Sequence, residues 1–225
     1  MLELKNIYRG REVKFYDFFM EHKQALIDDF LKQNPNYRDV NTKQSFAAVT
    51  EHQKRAYQDG AINKENAWQV GGIKTQLTAT VLEENRPYYP TGFKLMEHFG
   101  EDCTMAGYSS FEPKTILRRH TGPENRDAKR IRIHIPLIIP DGDVGFEVHG
   151  EEIRWTDIFA FNNQKAHSAW NGTDQRRLIF IIDLKRSICD MPPAPEWFPG
   201  CNDNAPRFEK TESESEYWQN SIKQT

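Results

Sequence analysis

Cysteine is scarce. Cys103, Cys189 and Cys201 are the only three in 225 residues. The number is odd, and the three form no close metal-binding pair. A disulfide scaffold is therefore excluded, and a reducing cytoplasm is the expected compartment. Long apolar runs are absent too. Nothing approaches the roughly 18 consecutive apolar residues of a membrane-crossing helix, and the opening MLELKNIYRGREVKF lacks the apolar stretch of a secretion signal. Nor is there an excess of positive charge: 30 basic against 33 acidic side chains leave a net −3. Nucleic acid is thereby disfavoured as a partner, because neutralising phosphates takes clustered cations. The apolar fraction is only 37%, but 14 Phe, 8 Tyr and 5 Trp supply a core of large side chains. A chain of this length can bury such a core without disulfides or a structural metal.

Periodicity divides the chain. Residues 14–33 place Phe15, Phe18, Phe19, Leu26, Ile27 and Phe30 at helical spacing, and Asn34-Pro35 ends the helix. A short helix is expected within 46–57. Residues 67–82 read as extended, with a bend at Gly71-Gly72, and 91–99 as a short helix closed by Gly100. From Met105 the period becomes two. Strands are expected at 105–110, 114–120, 129–138, 144–148, 153–160 and 176–185, separated by Pro, Gly, Asn and Asp turns. So many short strands imply a mainly β fold, a sandwich or barrel carrying N-terminal α elements. The expected organisation is one domain over 1–190, with a helix- and loop-rich 1–104 packed on a β-rich core at 105–186. An irregular tail fills 191–225.

Three segments carry chemistry. In KRIRIHIPLII, alternation sets Arg130, Arg132 and His134 on one face and Ile131, Ile133 and Ile135 on the other. Three cationic groups within about 14 Å, followed at once by an apolar run, suit an anion-binding cleft better than a solvated face. His120 ends a strand just before Thr121-Gly122-Pro123, and His167 precedes the last strand. Two histidines on adjacent antiparallel strands can share a metal, although spacing alone leaves many pairs open. In RRLIFIIDL, Arg177, Ile179, Ile181 and Asp183 share one face. Arg176 falls on the other, as a surface arginine at the strand's edge. Trp155, Phe159 and Phe161 fit core alternation, Asp141-Gly142-Asp143 is a turn, and His22, His98 and His149 have no expected chemical role. One of Arg118 and Arg119 is a candidate for a substrate cleft.

Taken together, HTGPENRDAKRIRIHIPLIIP, AHSAW and RRLIFIIDL resemble the aspartyl/asparaginyl β-hydroxylase family over residues 105–186. The resemblance implies a double-stranded β-helix, or jelly roll, and an iron(II)- and 2-oxoglutarate-dependent dioxygenase. It implies His120 and His167 as metal ligands and Arg177 as the arginine holding the distal carboxylate of 2-oxoglutarate. Ser109, Arg132 and His134 would line the same co-substrate site. Gly122 stands where related oxygenases carry a third, carboxylate ligand, which this family lacks. Asn163 replaces the Asp usual four residues before the second metal histidine.

The chemistry suits these residue types. Iron(II) accepts neutral imidazoles and must keep positions for a 2-oxo acid and O2, while a dianion's far carboxylate needs a permanently charged planar fork. The implied reaction hydroxylates a C–H bond and releases succinate and CO2. The expected substrate is the β-carbon of an amino acid, free, carrier-bound or peptidyl, with no membrane and no nucleic acid involved. A radical halogenase using the place beside Gly122 and a non-catalytic jelly-roll binding module are the alternatives.

Overall fold

The computed structural model describes residues 5–44, 51–75, 79–120, 129–163 and 165–191. Ten strands and three α-helices follow in the order β1 (Ile7–Arg9), α1 (Tyr16–Gln33), α2 (Glu51–Gln58), β2 (Trp68–Lys74), α3 (Pro90–Phe99), β3 (Cys103–Phe111), β4 (Thr115–His120), β5 (Arg130–Ile138), β6 (Val144–Val148), β7 (Glu151–Arg154), β8 (Phe159–Phe161), β9 (His167–Asn171) and β10 (Arg177–Lys185). They build a six-stranded sheet, β1-β8-β5-β10-β3-β2, and a four-stranded sheet, β4-β9-β6-β7. Among the described residues the neighbouring strands of both sheets pair antiparallel. Along β3 to β10 the chain passes repeatedly from one sheet to the other. That is a double-stranded β-helix, with β1 and β2 widening the larger sheet at its two edges.

Alternation along β10 explains how the sheets are used. Leu178, Phe180, Ile182 and Leu184 face outward and join a core with Phe19, Leu26 and Phe30 of α1 and Phe93, Leu95 and Met96 of α3. Ile179 and Ile181 face inward and pack with Phe146 of β6, Phe161 of β8 and Ala169 of β9. Both faces are apolar because one is covered by helices and the other by the second sheet. β5 repeats the pattern, with Ile131, Ile133 and Ile135 under the helices. Pro136, which has no N–H to donate, sits at a register shift against β10, where the ladder is already irregular.

Several expectations need correction. The segment 153–160 is not one strand: a turn at 155–158 separates β7 from β8. β1 and β9 had no expected counterpart, because three- and five-residue strands are too short to show a period. The Gly71-Gly72 bend is a register shift within β2 after Gly72. The short helix expected within 46–57 lies at 51–58, its first expected residues falling outside the described ones. The tail from 192 onward and the turn containing Gly122 also lie outside the described residues.

Arg176 is the clearest correction. It is 4% exposed, not a surface arginine. Its Nε donates to both carboxylate oxygens of Glu112, at 3.0 and 2.9 Å. Its Nη atoms donate to the carbonyls of Tyr37, Asp39, Val40 and Thr42. The guanidinium therefore ties the chain after α1 to the start of β10. Arg176→Ala removes the cation from the Glu112 carboxylate, which keeps the Gln44 and Gln69 amide donors, and the donors from four carbonyls, and should cost about 3–5 kcal/mol, measured by urea unfolding. A loss below about 1 kcal/mol would refute this clamp.

Candidate active site

The space between the sheets holds most of the polar side chains that the sequence singled out. His120 and His167 are cross-strand partners on β4 and β9, with ring centroids 4.3 Å apart. A register shift between Leu117 and His120 allows this. Strict alternation would turn His120 away from Leu117; one extra residue in β4 returns it to the inner face. In each ring Nδ1 lies 2.8 Å from the carbonyl two residues earlier, Arg118 for His120 and Lys165 for His167. A carbonyl only accepts, so each Nδ1 carries the proton and each lone pair is on Nε2. This tautomer, held by a backbone carbonyl, is the one a metal-ligating histidine adopts. The donor set thus fits a divalent transition metal. Among the described residues no group of three or more His, Cys, Asp or Glu forms a metal cluster.

Arg177 lies in the same interior, and its guanidinium is 1% exposed. Its carbon stands 3.9 Å from the Phe111 ring centroid and 4.5 Å from that of Trp155. One Nη donates to the Ser109 carbonyl at 3.2 Å, while Nε is buried without a partner among the described residues. Among the described residues no carboxylate pairs with it. Burial pulls its pKa down towards about 9. Because a guanidinium keeps its proton in proteins, that penalty is expressed as a demand for an anion. Beside it, the Ser109 hydroxyl accepts from the Trp68 indole N–H at 3.1 Å.

His134 sits inside a ring of Phe146, Phe159, Phe161 and Trp155, at centroid distances of 5.1–6.3 Å. The Trp155 indole donates to its Nδ1 at 3.4 Å. Phe146 and Phe161 also touch His167. A continuous series of contacts therefore runs from Ser109 and Arg177 through Trp155 and His134 to the imidazole pair. Arg132 is on the same face, but its fork is engaged: Nε and Nη2 each donate at 2.8 Å to Asp183, its cross-strand partner on β10. Asn163 is 9% exposed, with its Oδ1 buried and without a partner among the described residues. Arg119 has a buried Nε without a partner among the described residues.

Trp155, Trp68 and Phe111 were not foreseen as site residues. Trp155 was read as core packing, and alternation carries no signal for a side chain that enters from a turn. Asp183 was legible only as sharing a face with Arg177.

Burial, reinforced by neighbouring cations, holds His134 far below the usual imidazole range. Burial, reinforced by His120, does the same to His167. As pH falls through the unfolded value near 6.5, the unfolded chain takes up protons that the folded chain refuses. The metal-free protein should therefore lose stability below about pH 6.5, by up to about 2.7 kcal/mol per pH unit for the two groups. Urea midpoints from pH 7.5 to about 5.5 would show it. A flat profile would contradict neutral burial of these rings.

The chain matches the family model described as "Aspartyl/Asparaginyl beta-hydroxylase" over residues 27–187. It belongs to that family. It is 30% identical over 89 residues to an ornithine lipid ester-linked acyl 2-hydroxylase of Rhizobium tropici, covering 38% of this chain and 31% of that protein. It is 33% identical over 101 residues to the aspartyl/asparaginyl beta-hydroxylase of Mus musculus, covering 42% of this chain and 13% of that protein. The matches thus span less than a third of either relative's length. A solved oxidoreductase of the 2OG-Fe(II) oxygenase family from Burkholderia pseudomallei aligns with 71% of this chain and 90% of its own, at 12% identity and a TM-score of 0.38. The strand pairing described above, not that likeness, defines the fold. Among the described residues no helix is long and apolar enough to cross a membrane.

Proposed function

We propose that this protein is an iron(II)- and 2-oxoglutarate-dependent hydroxylase acting on a C–H bond of an amino-acyl or peptidyl substrate. The observation that carries the reading is Arg177. It is a fully buried cation without a carboxylate partner among the described residues, its guanidinium carbon within 4.5 Å of two aromatic ring centroids, on the same interior as a histidine pair whose tautomers present Nε2. The family assignment supports the same chemistry. One oxygenase domain over 1–190 would hold the whole apparatus.

In this reading His120 and His167 hold the metal through Nε2, and their carbonyl partners lock the rings. When bound, iron supplies the oxygen chemistry that couples decarboxylation of 2-oxoglutarate to hydroxylation. Arg177 takes the distal carboxylate with in-plane donors, and the Ser109 hydroxyl adds a neutral donor beside it. His134 contributes a further donor. Arg132, held by Asp183, supplies positive potential more than a free fork. Phe146, Phe159 and Phe161 exclude water from the space between the anion end and the imidazoles, which strengthens each electrostatic contact.

The test is 2-oxoglutarate turnover. The full chain with iron(II) should form succinate, and peptides or amino acids that are substrates should gain 16 Da and raise that rate. Acyl lipids form a second arm, since one relative is named as a lipid acyl hydroxylase. Stimulation by lipid alone would overturn the substrate class; absence of succinate under every condition would overturn the activity.

A further inference from the structure

We propose that Trp155 is a positioning residue for co-substrate capture: its indole N–H decides which nitrogen of His134 carries the proton, and its ring guides Arg177 towards in-plane donation. The inference rests on the reading of Arg177 and His134 as co-substrate binders. Trp155 is 2% exposed and stands in the turn between β7 and β8. From there it touches two residues of the larger sheet at once: His134 on β5 by a hydrogen bond, and Arg177 on β10 by its face.

A neutral imidazole has one N–H and one lone pair. The indole has only a proton to give, so His134 Nδ1 must be the acceptor and Nε2 must carry the hydrogen. This is the single hydrogen bond of His134 among the described residues. The three phenylalanines around the ring offer no competing donor or acceptor. Trp155 is thus the group that sets the tautomer. The consequence is chemical. With the proton on Nε2 the ring's remaining polar atom is a donor and attracts a carboxylate. The opposite tautomer would present a lone pair and repel it.

The second contact acts on Arg177. The Trp155 ring centroid lies 4.5 Å from the guanidinium carbon, so the ring fills space on one side of the cation and leaves a carboxylate the N–H groups it does not cover. Trp155 thereby couples the two donors without itself touching the anion.

The experiment uses the full chain, loaded with Zn(II) as a diamagnetic stand-in and labelled with 15N in its histidines. Ring-nitrogen NMR reads the tautomer, with His134→Asn used only to assign the signal. The wild type should show a lone-pair Nδ1 and a protonated Nε2 at His134. Trp155→Phe keeps an aromatic face over Arg177 but has no donor. It should lose the single-tautomer pattern and bind 2-oxoglutarate about five- to tenfold more weakly by calorimetry, the worth of one hydrogen bond. Trp155→Leu, which removes the aromatic face as well, should lose about a further fivefold.

A wild type with the proton on Nδ1 overturns the inference whatever the variants do. So does Trp155→Phe with unchanged tautomer or unchanged affinity. If Arg177→Lys weakens 2-oxoglutarate while Trp155→Phe does not, the co-substrate site stands and only the role of Trp155 fails. If the wild type binds no 2-oxoglutarate, both fail.

Discussion

Arg177→Ala should raise the Michaelis constant for 2-oxoglutarate by about one to three orders of magnitude and leave metal binding nearly unchanged. The reason is the buried, partner-poor guanidinium: among the described residues its Nε has no partner, and its one hydrogen bond is to the Ser109 carbonyl. A dicarboxylate entering this site gains a charge-assisted pair in a low-dielectric interior, and truncation leaves that anion desolvated and alone. Arg177→Lys should recover only part of the loss, since an ammonium cannot present a planar fork to a carboxylate as a guanidinium does. The same burial has an opposite effect on stability. Arg177→Met fills similar space without an uncompensated charge, so the metal-free protein should gain about 1–4 kcal/mol while co-substrate use falls. Succinate formation against 2-oxoglutarate concentration and urea midpoints read the two effects. If Arg177→Met lowers both, the cation has an internal partner and is not held for an anion. Arg176→Ala is not a neutral control, because that side chain is buried against Glu112 and four carbonyls.

Loss of either imidazole of the proposed metal pair should weaken iron(II) binding at least about a hundredfold. Merely disturbing the hydrogen bonds that orient a metal-bound histidine already costs about 10–100-fold, and removing the ligand costs more. His120→Ala and His167→Ala should nevertheless fold. Each removes a ring that faces the interior between the sheets, not the apolar layer under the helices. Anaerobic iron(II) titration of wild type and both variants measures this. Wild-type affinity in either variant would remove that residue from the metal site.

The register of the long strands was legible because their side chains obey a period of two over nine residues. Ile131, Ile133 and Ile135 against Arg132 and His134 on β5, and Leu178, Phe180 and Ile182 against Arg177 and Asp183 on β10, divide as alternation requires. The histidine pairing was legible only through the family resemblance. β9 has five residues and leaves too little period to read, and the shift between Leu117 and His120 breaks the alternation where it matters. Asn163 and Gly122 illustrate the same limit at single positions: their identities are visible in the chain, but their surroundings are not.

By itself the sequence determined which residue types are available and which face of each long strand they occupy, since backbone geometry alone imposes that division. It thereby determined an apolar helical side for the larger sheet and an inner face that mixes apolar residues with Arg132, His134 and Arg177. Only the tertiary structure decided which of four arginines is left without an anion among the described residues. Arg132 meets Asp183 across a strand pair, Arg176 meets Glu112 and the loop after α1, and Arg177 meets aromatic rings and a carbonyl. Arg119 has an Nε without a partner among the described residues but is itself only partly buried. Such differences come from which distant segments are brought within about 4 Å, where a charge is either neutralised or left waiting for a ligand, and no local pattern encodes that distance.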